Sequence, residues 1–85
     1  MGQVWEKGVE LELHGIGKYR NVTSTEEAAR HLTTIWPKPD GPAFDNAVKA
    51  CIAALENTRK KALASKARQA FIEAAEDAKI FVRKK

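Results

Sequence analysis

The chain has 85 residues, of which 44% are hydrophobic and 31% charged, and its formal net charge is +4. This length leaves no room for a second hydrophobic core, and the composition argues against a disordered chain. We therefore expect one globular domain over residues 1–85.

The chain shows no targeting or membrane signal. Charges interrupt the segment MGQVWEKGVELEL at residues 1–13, and no apolar run approaches the roughly 18 residues that span a bilayer. Cys51 is the single cysteine, which excludes an internal disulfide framework and is typical of a reducing compartment. These features predict a cytoplasmic protein without a membrane anchor.

Two strands are predicted near the N-terminus. Apolar and acidic residues alternate over VELEL, residues 9–13, which is typical of a strand with one buried face. Trp5 has the same parity as the apolar residues, and Gly8 between them predicts a break or bulge. The sequence HGIG at residues 14–17 predicts a turn, and residues 18–22 then form the returning strand.

A first helix is predicted to begin within TSTEE, residues 23–27, where Ser24 with Glu27 or Thr23 with Glu26 would form a capping box. It ends near Ile35 because Pro37 disfavours helical geometry at the preceding residue. Its predicted inner face consists of Ala28, Ala29, Leu32, Ile35 and Trp36.

A central helix is predicted over Ala43 to Leu55, capped by Asp40 or Gly41, with Pro42 in its first turn. Its bulky stripe is expected to face a sheet, and its alanine flank is expected to let another helix approach closely. We expect Asn57 to end this helix in a left-handed conformation. The predicted stripe consists of Phe44, Ala47, Val48, Cys51 and Leu55, flanked by Ile52.

A third helix is predicted from about Thr58, and residues 80–82 form a short strand followed by a flexible basic tail, residues 83–85. Short connections then give a ββαααβ order. We predict an α+β fold: a three-stranded antiparallel sheet of order 2-1-3, with three helices packed on one face. The inner face of the third helix is expected to comprise Leu63, Ala67, Ala70, Phe71, Ala74 and Ala78.

Several short motifs share their order and spacing with a known family. They are an early Trp5, the TSTEE cap, Trp36-Pro37, residues 41–44 (GPAF), Ala50-Cys51 and residues 67–71 (ARQAF). Together they resemble the bacterial domain of unknown function 982 family over residues 5–82. Asn57 departs from the glycine expected there. The resemblance implies the fold but no activity, substrate or catalytic residue.

The inventory of reactive side chains is small. His14, His31 and Cys51 are the only imidazole or thiol groups, and they lack the paired spacing of a metal site. A thiol on a buried helix face without a cationic neighbour is normally inert. We therefore expect no catalytic residue, no metal and no cofactor.

Positive charge is concentrated in one stretch without an acid. This stretch and the C-terminal residues 83–85 are where an anionic partner would bind. The basic residues do not lie on one face of a helix, and aromatic side chains do not interleave with them. Nonspecific nucleic-acid binding is therefore the alternative to a protein-interaction function. The candidate anion-binding residues are Arg59, Lys60, Lys61, Lys66 and Arg68.

A second apolar strip on the third helix is the candidate protein interface. Ile72 lies away from the predicted inner face, with Ala64 and Ala75 beside it. Ile72 either binds a protein partner or a second copy, or packs under a strand of its own chain. On this basis we expect a non-catalytic protein-interaction or regulatory module.

Overall fold

The computed structural model describes residues 4–12, 19–34, 36, 40–57 and 59–84. The elements in chain order are two strands, three helices and a last strand. Their bounds are β1 Val4–Glu12, β2 Tyr19–Ser24, α1 Thr25–Thr34, α2 Pro42–Glu56, α3 Lys61–Asp77 and β3 Phe81–Lys84. The predicted turn at residues 14–17 lies outside the described residues.

The sheet is built on the antiparallel pair of β1 and β2. Val9 lies opposite Val22 and Leu11 opposite Arg20, whereas the pairing shifts between Val4 and Val9. This irregularity lies where Gly8 predicted a break or bulge, and β1 continues through it. β3 pairs antiparallel with the other edge of β1, so the strand order is β2-β1-β3.

The fold belongs to the α+β class, but the predicted architecture, three helices covering one face of a three-stranded sheet, is wrong. The antiparallel β1–β2 pair is the longer part of the sheet, and β3 adds four residues at the other edge of β1. Only α1 and α3 pack substantially on the strands, whereas α2 packs on α1 and, most extensively, on α3. Within the described chain, α2 is therefore the outer layer.

The inner face of α2 differs from the predicted stripe. Ala47, Cys51 and Ala54 are fully buried, whereas Phe44 and Leu55 are only partly buried. Small side chains let two helices approach closely, so α2 turns its alanine side toward α3. The bulky stripe has no sheet to face because α2 does not lie on the strands.

Two backbone conformations mark the helix ends. Gly41 precedes α2 with φ +97°, and Pro42 is the first helical residue, as predicted. Asn57 has φ −138°, so the prediction of a left-handed residue there is wrong. Among the described residues other than glycine, the left-handed conformation occurs at Lys79, φ 64°, at the end of α3.

The core is centred on Phe71, which contacts both tryptophans. The ring centroid of Phe71 lies 5.2 Å from that of Trp36 and 5.9 Å from that of Trp5. β1 supplies Val9 and Leu11 to the same buried cluster. The core thus joins the sheet to α3 and to Trp36, two residues after the end of α1.

The buried face of α3 is wider than predicted. Ile72 and Ala75 are buried, in addition to Ala67, Phe71 and Ala74, because α3 is covered by the sheet on one side and by α2 on the other. The predicted flexible tail is also wrong in part. Arg83 and Lys84 belong to β3, paired with Glu10 and Val9, and Lys85 lies outside the described residues.

Candidate functional site

The reactive groups named from the sequence do not form a catalytic arrangement in the described residues. Cys51 is fully buried, and burial raises the pKa of its thiol from 9.0 to about 11. A thiol protonated at neutral pH is a poor nucleophile. Cys51 therefore packs as a small apolar side chain.

The side chain of His31 bonds within its own helix, α1. Its Nδ1 donates a hydrogen bond of 2.7 Å to the carbonyl oxygen of Glu27. No cluster of three or more metal-binding side chains occurs among the residues described, and His14 is not one of them. The described part of the chain thus supplies no assembled metal site.

The predicted pair Ser24 and Glu27 caps the start of α1, with Thr23 as the partner of the Glu27 carboxylate. The backbone N–H of Glu27 donates to Ser24 Oγ, 3.2 Å, and Glu27 Oε1 accepts from both the backbone N–H and the hydroxyl of Thr23, each at 2.8 Å. The two bonds from Thr23 lower the pKa of Glu27 below its ordinary value. This carboxylate fixes the start of α1, and its role is structural.

The predicted anion-binding residues lie around the start of α3. Arg59, Lys60 and Lys61 are exposed and consecutive, and the first turn of α3 has no acidic residue. Lys66 is also exposed but follows more than a turn later, and Arg68 is only partly exposed. The fold therefore brings together three of the five predicted residues.

The predicted protein interface on α3 is not a surface of this fold. Ile72 is 1% exposed and Ala75 is fully buried, while Ala64 is partly buried against the same core. Ile72 was predicted either to contact a partner or to pack within its own chain, and the structure shows the second arrangement. The side chain of Ile72 is therefore not available for contact with another molecule.

One apolar groove lies between α1 and α2. Its volume is about 70 Å³, and its lining is almost entirely apolar. Pockets for small-molecule ligands usually measure roughly 300 to 1,000 Å³, so this groove suits a single aliphatic side chain. The lining residues are Ala29, Leu32, Thr33, Val48, Cys51 and Ile52.

Ile52 forms the outer edge of this groove. It is 49% exposed and is the large hydrophobic residue that the described chain leaves in water. Asp45, Lys49 and Glu56 are exposed on the same side of α2. The groove thus combines an apolar centre with a charged border, as protein interfaces do.

The sequence contained a signal for this position that the periodicity prediction missed. At about 100° per residue, Ile52 falls about 20° from Asp45 and about 40° from Glu56 on the helical wheel, next to residues assigned to water. It was instead grouped with the neighbouring buried stripe. The two helices that pack on α2 decide the exposure of Ile52. α3 covers the alanine side of α2, whereas α1 borders the side bearing Ile52 and leaves about half of that side chain exposed.

A buried polar atom lies in the core beside Phe71. Nε1 of Trp36 has no hydrogen-bond partner in the described structure, although the residue is only 6% exposed. Trp36 does not line the groove between α1 and α2. Its unpaired indole N–H therefore lowers the stability of the core and is not part of the groove.

These features define a small α+β domain with a tightly packed core and an apolar groove between α1 and α2. The sequence model of a family described as protein of unknown function, DUF982, matches residues 7–82, and the chain belongs to that family. The comparisons found no match among curated proteins and none among solved structures. Among the described residues, no helix has the length and apolar character needed to cross a membrane.

Proposed function

We propose that this protein is a non-catalytic protein-interaction module whose binding site is the groove between α1 and α2. The observation that carries this proposal is Ile52, a half-exposed aliphatic side chain at the edge of an apolar groove. Burying the exposed half of this side chain in an interface yields about 0.7 to 1.5 kcal/mol, half of the value for a fully exposed isoleucine. The groove in turn accepts one aliphatic side chain from the partner.

The size of the groove favours a protein over a metabolite. A volume of about 70 Å³ is below that of an engineered cavity of about 150 Å³ that binds benzene. The nearest thiol, Cys51, has a raised pKa, so the groove has no activated nucleophile of its own. The groove therefore offers apolar contacts, and the charged side chains beside it offer ion pairs.

The test compares Ile52→Glu with a matched control, Ser65→Glu, which places the same charge at an exposed position on α3. Proteins retained by the wild type are identified, purified and titrated against all three forms by calorimetry. Ile52→Glu should raise the Kd of a true partner at least about tenfold, as expected for loss of an interface anchor. Equal affinities for all three forms would exclude the groove.

Ile52→Glu should leave the fold intact because the side chain is half in water. Its unfolding free energy is expected to fall by no more than about 1.5 kcal/mol, because only half of the side chain is buried. Loss of binding by a stably folded variant therefore reports on the interface. The same denaturation measurement on Ser65→Glu provides the reference.

A second candidate function is nonspecific anion binding at the start of α3. Arg59, Lys60 and Lys61 are exposed there, and the positive end of the helix dipole adds to their charge. Binding of mixed DNA and RNA should then be weak and fall steeply as salt rises. The paired variant Lys60→Ala with Lys61→Ala should weaken it, whereas Ile52→Glu should weaken only the protein interaction.

A further inference from the structure

The outward face of α2 has a charge pattern of its own. Asp45, Lys49, Ile52 and Glu56 are all exposed, and at about 100° per residue they lie within an arc of about 60°. The face thus reads negative, positive, apolar, negative along the helix. Basic Arg59 and Lys60 follow in the next turn.

We propose that the partner of this face is a second copy of the chain, bound with the two α2 helices antiparallel and Ile52 at the two-fold axis. This proposal rests on the proposed function and identifies the partner. Lys49 and Glu56 lie equally far on either side of the bond between residues 52 and 53. An antiparallel crossing therefore places Lys49 of each copy beside Glu56 of the other copy. The two-fold symmetry forms this pair twice.

The same symmetry gives Asp45 a basic neighbour. α2 ends at Glu56, and the basic residues Arg59 and Lys60 follow it before α3 begins. An antiparallel crossing therefore brings Asp45, at the start of one α2, toward the basic turn after the other α2. A parallel crossing would instead oppose Lys49 to Lys49 and Glu56 to Glu56. Juxtaposed like charges are costly in an interface, so the charge order favours the antiparallel dimer.

The groove supplies the apolar part of the contact. Ile52 of one copy is an aliphatic side chain of the kind that the groove accepts, and Val48 and Thr33 extend the surface around it. A standard interface buries about 800 Å² per partner, roughly one-seventh of the 5507 Å² surface of this chain. With one large apolar anchor per copy, we expect a weak dimer with a Kd in the micromolar range, on the order of 1 to 100 μM.

The first experiment is sedimentation equilibrium of the full chain from about 1 μM to about 1 mM, a range that brackets such a dimer. The wild type and Ser65→Glu should reach twice the monomer mass. Ile52→Glu should stay monomeric throughout. A wild type that is monomeric at every concentration would overturn the dimer, and a dimer unaffected by Ile52→Glu would overturn this surface.

The second experiment tests the pairing across the axis. Lys49→Glu and Glu56→Lys each create like-charge contacts and should weaken self-association at least tenfold, whereas an equimolar mixture of the two should associate like the wild type. A mixture that stays monomeric would exclude the pairing of Lys49 with Glu56.

Cysteine cross-linking then fixes the direction of the helices. With a mild oxidant added to take up the two electrons, Lys49→Cys mixed with Glu56→Cys should form a disulfide-linked dimer faster than either variant alone. Faster cross-linking of each variant with itself would show parallel helices and overturn the geometry. A monomeric protein whose purified heterologous partner still depends on Ile52 would refute the dimer but leave the proposed function standing.

Discussion

The indole Nε1 of Trp5 donates a hydrogen bond of 3.0 Å to the hydroxyl oxygen of Thr25, and both residues are buried. Trp5 lies on β1 and Thr25 is the first residue of α1, so one bond between side chains joins the sheet to the start of a helix. Trp5 also contacts Phe71 of α3. Thr25 thus gives the buried indole the partner that Trp36 lacks.

Thr25→Val should lower the free energy of unfolding by about 1 to 3 kcal/mol, because a side chain of the same shape leaves the Trp5 N–H buried without this acceptor. Urea denaturation measures the loss. Thr34→Val is the matched control because Thr34 is exposed, and it should change stability by less than about 0.5 kcal/mol. Equal effects at the two positions would contradict the importance of the Trp5 bond.

The cap of α1 should make stability depend on pH. The hydrogen bonds from Thr23 hold the pKa of Glu27 below its ordinary value of 4.5. A carboxylate with a lowered folded-state pKa stabilises the fold above about pH 4.5, and this contribution is lost as pH falls through the folded-state value.

Glu27→Gln should therefore cost about 1 kcal/mol at pH 7 and progressively less toward pH 2. Glu26→Gln removes the same charge from the same turn at an exposed position and should cost less at pH 7. Denaturation curves at several pH values provide the measurement. A cost of Glu27→Gln that is constant with pH would show that the charge on Glu27 is not the cause.

The end of α3 places a lysine where glycine is favoured. Lys79 has φ 64°, its N–H donates to the Glu76 carbonyl, 3.1 Å, and the Ile80 N–H donates to the Ala75 carbonyl, 2.9 Å. These bonds form a Schellman motif, in which a side chain at the left-handed position costs about 1 kcal/mol.

Lys79→Gly should consequently raise the free energy of unfolding by about 0.5 to 1 kcal/mol. The control is Ala78→Gly, at an ordinary φ of −83°, which should lower stability by about the same amount. Thermal denaturation of both variants tests the difference in sign. A loss of stability in Lys79→Gly would contradict the motif.

Cys51 should react with a thiol reagent only when the protein opens. It is fully buried, and its pKa is raised to about 11, so the thiolate is scarce at pH 8. Labelling should be slow in buffer and fast in denaturant. Ala53→Cys combined with Cys51→Ala provides an exposed thiol on the same helix and should react fast in both conditions.

The raised pKa of Cys51 also predicts an alkaline effect. Because the folded state favours the neutral thiol, its contribution to stability is present below pH 9.0 and is lost as pH rises toward 11. Cys51→Ala should show a weaker fall in stability over that range. Fast labelling of the folded wild type would instead show an accessible, activated thiol.

Local features were predictable from the sequence because they depend on neighbouring residues alone. The alternation over residues 9–12, the cap formed by Ser24 and Glu27, and the start of α2 at Gly41 and Pro42 all correspond to features of the structure. The family resemblance is likewise confirmed over residues 7–82. Each of these rests on backbone preferences or on a short hydrogen-bonded pattern.

Burial on the helices depended on which neighbours the fold supplies. Periodicity identified apolar faces on α2 and α3, but it did not show that α3 lies between the sheet and α2, which buries Ile72, or that α2 is the outer layer, which exposes Ile52. A helix whose apolar residues extend around most of its circumference can be covered on any side. Only the tertiary packing decided which isoleucine faces water, and that choice moved the candidate interface from α3 to the groove between α1 and α2.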